Sequence, residues 1–133
     1  MKEKSPYKSC PLCGRIWHAP ADMVCDQTLK LNGYQADVPN PEKGLLLFTH
    51  ESDGCYSTIG VYAIDFRFMH DGIIYPECHF QQADCEGRCL DESDLEICHA
   101  HCCMAWVRDV IQYIRRHEVP LRRIPVRKKT EAD

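Results

Sequence analysis

"CPLCGRIW", residues 10–17, sets two cysteines two residues apart and follows the second with a glycine. Thiolates at that spacing can meet one cation from a tight turn, and Gly14 accepts the positive φ that such a turn often requires. Cys10 and Cys13 are therefore read as one arm of a tetrahedral zinc site. A single Cys-x-x-Cys pair is half a site, so a second pair of ligands is needed. His50 and Cys55 meet that need best. They bracket the turn "ESDG" (51–54) between two β-favouring stretches and can face the first pair across a sheet. Cys25 is the rival ligand, but it falls in a short helical segment where a packed thiol is the simpler reading.

The flanking sequence predicts the scaffold. "PADMVCD" (20–26) reads as a short helix with Pro20 in its first turn, and "TLKLNGYQADV" (28–38) as a strand. After the turn signal "NPEKG" (40–44), "LLLFTH" (45–50) and "YSTIGVYAIDF" (56–66) read as two more strands. Residues 70–92 carry breakers and keep no single period. From Ser93 a helix is expected: Ser93 and Glu96 are spaced as a capping box, and Leu95, Cys98, Cys102, Trp106, Val110 and Ile114 recur every three or four residues. It should run to about residue 117, before Pro120. The expected fold class is α+β, a small antiparallel zinc-ribbon-like sheet with a Cys-rich loop segment and a long C-terminal helix. Residues 1–119 are read as one zinc-stabilised domain and 120–133 as a basic, flexible tail.

The Cys-rich segment holds a second constellation. Cys85 and Cys89 in "CEGRC" are four apart, and so are Cys98 and Cys102 in "CHAHCC". On a helix that spacing puts two thiols on one face, so the pairs can converge on zinc, on an iron–sulfur cluster, or on two disulfides in an oxidising compartment. Cys103 competes with Cys102 or completes the site. Cys78 and His79 are read as structural or exposed, and His18, His70 and His117 as ordinary surface or core histidines.

Ten cysteines in 133 residues exceed ordinary usage, which implies that metals or disulfides supplement the core. No apolar h-region follows "MKEKSPYKSC", and the longest apolar run, Cys102 to Val107, is far short of a membrane span. A cytoplasmic protein is expected, with no membrane partner, and a reducing cytosol favours metal over disulfide. The net charge of −4 divides into −8 over residues 1–114 and +4 over 115–133. Only the tail attracts phosphate, and it lacks interleaved aromatics for base stacking.

Taken together, "CPLCGRIW", "NGYQ", "GLLLFTH" and a late Cys-rich segment running into "AWVRDVIQYI" resemble a family of small, functionally uncharacterised bacterial zinc-ribbon-like proteins over residues 10–115. The resemblance implies Cys10, Cys13, His50 and Cys55 as one ligand set and Cys85, Cys89, Cys98 and Cys102 as another. In this chain the His-to-Cys turn is lengthened through "ESDG", and Met104 stands where the family pattern has another cysteine. The functional expectation is a non-enzymatic, zinc-stabilised module with a protein partner. The alternatives are thiol or iron–sulfur redox chemistry, and nucleic-acid binding through the tail.

Overall fold

The computed structural model describes residues 6–52 and 54–116. The chain opens with two antiparallel two-residue strands, β1 (Lys8–Ser9) and β2 (Ile16–Trp17), which hold residues 10–15 as a turn. Helix α1 (Pro20–Cys25) follows, begun by Pro20 and by the Asp22 carboxylate, which accepts the Ala19 N–H at 3.1 Å. Three longer strands, β3 (Leu29–Gln35), β4 (Leu45–His50) and β5 (Thr58–Tyr62), form an antiparallel sheet in that order.

Register in this sheet carries chemistry. Along β4 the even positions Leu46, Phe48 and His50 are buried, and along β5 Ile59 and Val61. Period two therefore puts His50 on the core face as the last residue of β4, opposite Leu29. In β3 the pairing shifts between Leu31 and Gly33, so Asn32 is an extra residue and Tyr34 joins Leu29 and Leu31 on the core face. "AIDF" does not continue β5: residues Ala63–Met69 form 3₁₀ turns instead.

Helix α2 (Ala105–Arg116) covers the core, burying Val107, Val110, Ile111 and Ile114 at three- and four-residue spacing, and packs on β3 and on the 3₁₀ segment. Each such side chain contributes about 1.5–3 kcal/mol relative to exposure. The helix begins at Ala105 rather than at the expected Ser93. Asp91 accepts the Ser93 N–H (3.0 Å) and hydroxyl (2.7 Å), and Asp94 accepts the Glu96 N–H (3.1 Å). These short side chains satisfy the backbone locally and compete with helix, so the apparent capping box is two successive turns. The carbonyls of Asp94, Leu95 and Glu96 are taken by Arg108 and Gln112 of α2. The expected tail, 120–133, lies outside the described residues.

Candidate metal centre

Two turns meet at one end of the sheet. In the first, the Cys10 N–H donates to Arg15 O (2.7 Å) and the Gly14 N–H to Cys10 O (2.9 Å), with Gly14 at φ +81°. In the second, Ser52 and Cys55 exchange N–H···O bonds of 3.1 and 2.6 Å, and Gly54 sits at φ +71°. Both glycines occupy a region that costs an L side chain about 1–2 kcal/mol. The ligand atoms of Cys10, Cys13, His50 and Cys55 thereby all lie within 4.8 Å of one another.

The separations suit a tetrahedral ion. Cys10 Sγ stands 3.4 Å from Cys55 Sγ, and His50 Nδ1 lies 3.6 Å from Cys13 Sγ and 3.5 Å from Cys55 Sγ. Zinc with bonds of about 2.3 Å to sulfur and about 2.0–2.1 Å to nitrogen requires edges of roughly 3.5–3.8 Å. Cys10, His50 and Cys55 are buried, and Cys13 is the exposed member. His50 Nε2 is buried without a hydrogen-bond partner, its ring edge-to-face with Trp17 at 5.3 Å. Its Nδ1 thus faces the sulfurs and Nε2 faces the core.

The surrounding groups favour charge on one thiol. Burial works against the Cys10 thiolate, but the Ser57 hydroxyl at 2.9 Å, the neighbouring backbone amides and His50 outweigh it and hold this thiol down at about 5. Cys13 receives help from the Arg15 backbone, yet local desolvation and the adjacent Cys10 and Cys55 sulfurs outweigh that and raise it. The surroundings therefore favour the thiolate at Cys10 over Cys13.

Asp26 braces the first turn. Its carboxylate accepts Trp17 Nε1–H (2.8 Å) and the Thr28 N–H and hydroxyl (2.9 and 2.6 Å), and pairs with Arg15 (3.0 Å). Burial opposes its ionisation, but Thr28, Trp17 and Arg15 prevail and keep it below the usual carboxylate range. Neither Asp26 nor Ser57 is signalled by ligand spacing.

In the second half, the group that closes within 4.8 Å is Cys78, Cys102 and Cys103. Cys85, Cys89 and Cys98 do not close with Cys102 at that distance; the four line a cavity of ≈ 20 Å³ beside the trio. Burial, with Cys102 and Cys78 as neighbours, pushes the Cys103 thiol up to about 12. Cys98 and Cys102 lie outside any helix, so helical spacing is not what brings them near. Cys25 is exposed and joins neither group, and all ten cysteines are unpaired. Among the described residues no helix is long and apolar enough to cross a membrane.

Comparison with protein-family models, with curated proteins and with solved structures found no match, so the centre is read from its own chemistry. The chain is an α+β protein with small antiparallel sheets and clustered Cys and His side chains able to hold metal.

Proposed function

We propose that this chain is a zinc-stabilised interaction module of the cytosol, with Cys10, Cys13, His50 and Cys55 holding a structural Zn²⁺. The supporting observation is the closed set of four protein ligand atoms within 4.8 Å, which leaves no coordination position for water or substrate. Three thiolates and one imidazole suit zinc, a borderline-soft ion without geometric demands of its own. The ion would tie the N-terminal turn to the β4–β5 turn and contribute directly to folding. Each of these turns also carries an exposed large apolar side chain, Leu12 on the first and Tyr56 on the second. Fixing the two turns would present both side chains to a protein partner.

A redox reading has one observation in its favour, the lowered Cys10 thiol in a Cys-x-x-Cys. A dithiol catalyst needs its thiolate accessible. Here the thiol whose surroundings favour ionisation, Cys10, is buried, and the accessible one, Cys13, is shifted the other way by its sulfur neighbours. The zinc reading accounts for both.

The test is Cys10→Ser, with zinc counted in protein purified under reducing conditions and melting followed by circular dichroism. The expected result is the loss of one zinc equivalent together with local or global unfolding, reproduced in the parent chain by a chelator. Unchanged metal content and melting temperature in Cys10→Ser would remove Cys10 from the ligand set.

A further inference from the structure

Seven cysteines lie outside the first centre, and two backbone N–H groups arrange three of them. The Cys103 N–H donates to Glu77 O (2.7 Å) and the His79 N–H to Cys102 Sγ (3.2 Å). Segment 77–79 is thereby laid along 102–103 with Cys78 between the two bonds, and the sulfurs of Cys78, Cys102 and Cys103 close within 4.8 Å. An amide donated to a sulfur favours the thiolate form that a metal requires. Cys102 is buried and also lines the adjoining cavity with Cys89 and Cys98.

A second, independent observation concerns charge. Arg108 is fully buried and lines the same cavity. One of its terminal nitrogens donates to the carbonyls of Asp94 and Glu96, another approaches Cys89 Sγ at 3.8 Å, and Nε has no partner. The Asp94 carboxylate stands 3.9 Å away and is shared with Arg88, which holds it at 3.0 Å. The Tyr34 hydroxyl, also buried and without a partner, belongs to a ring that lies 5.2 Å under the guanidinium. A buried cation and a buried donor, both incompletely satisfied, call for an anion at this place. Neutral thiols do not supply one, whereas four thiolates around a divalent cation carry a net charge of −2.

We infer that Cys78, Cys102 and Cys103 are three ligands of a second zinc centre, closed by a fourth thiolate from the Cys89–Cys98 wall of the cavity, with Arg108 as its buried counter-cation. This goes beyond the interaction-module reading and does not depend on the first centre. It also replaces the ligand set Cys85, Cys89, Cys98 and Cys102 implied by sequence resemblance. Zinc rather than a cluster follows from the trio, whose sulfurs stand close enough to share one ion. Arg108 acts here as a positioning residue, stabilising the thiolates without touching the metal.

The test uses the full chain, purified anaerobically under reducing conditions and loaded with zinc alone. Metal is counted by elemental analysis, and free thiols are alkylated in the native state and mapped by mass spectrometry. The expected result is two zinc ions per chain and seven of the ten cysteines protected, Cys78, Cys102 and Cys103 among them, with Cys25 modified. Cys78→Ser should lose one zinc and leave Cys10, Cys13 and Cys55 protected. Arg108→Met should weaken the second zinc about tenfold to a hundredfold in chelator competition, with Arg108→Lys restoring much of it. The proposal is overturned by one zinc with Cys78, Cys102 and Cys103 alkylated, by full zinc content in Cys78→Ser, or by iron and sulfide with broad visible absorption in anaerobically isolated protein. The wild-type protection map decides the matter even where a variant fails to fold. Unchanged second-zinc affinity in Arg108→Met would remove the counter-cation role.

Discussion

Asp26→Asn tests whether the Cys10–Cys13 turn is held by the carboxylate behind it. One oxygen, Oδ1, accepts both bonds from Thr28, and an amide oxygen can keep those. The other, Oδ2, accepts Trp17 Nε1–H and Arg15 Nε–H, and the substitution sets an NH₂ group against two donors. The Trp17 ring is 2 % exposed, so its N–H is left without water as a substitute; a bond of this kind to a charged acceptor is worth about 1.5–3 kcal/mol. The Arg15 side chain is 53 % exposed, so its ion pair adds only about 0.5–1 kcal/mol. The variant should therefore lose about 2–4 kcal/mol, equivalent to a melting temperature lower by roughly 8–16 °C. Chelator-driven zinc release should be faster, because Arg15 and Trp17 flank the Cys10–Cys13 turn. The Asp26 contribution is present above the ordinary carboxylate range and lost as pH falls through its depressed folded value, so wild type and variant should converge in strong acid. A melting temperature within about 2 °C of wild type at neutral pH would refute the bracing role.

Two further outcomes follow from the same geometry. In metal-free protein the unfolded chain keeps a proton on Cys10 up to about pH 9 that the folded chain has released above about pH 5, so stability should rise with pH between those limits. Above that window the raised thiols of Cys13 and Cys103 reverse the trend; urea midpoints measured across pH would show both, and a flat profile from pH 5 to 9 would contradict the lowered Cys10. Gly14→Ala should cost about 1–2 kcal/mol through its left-handed backbone alone, with zinc retained, because an added Cβ meets nothing within 4 Å.

The first site was legible because its signals are local. The Cys-x-x-Cys followed by Gly14 encodes one turn, and alternation along "LLLFTH" carries His50 to a strand end on the buried face beside the turn before Cys55. The second was not. Reading residues 93–117 as one helix put Cys98 and Cys102 on a common face. Asp91 and Asp94 bend that segment into turns, and proximity arises from long-range bonds within the chain at Glu77 and His79, which leave no periodic trace. Ser57, Asp26 and Arg108 were invisible for a related reason: each reaches the site through at least one partner outside its own turn, and its residue type is ordinary at the surface.

Zinc-edge X-ray absorption on the zinc-loaded chain tests the central assignment most directly. The expected spectrum shows coordination dominated by sulfur at about 2.3 Å, with an imidazole contribution that disappears in His50→Cys. A shell of oxygen and nitrogen, or an imidazole signal unchanged in that variant, would contradict it.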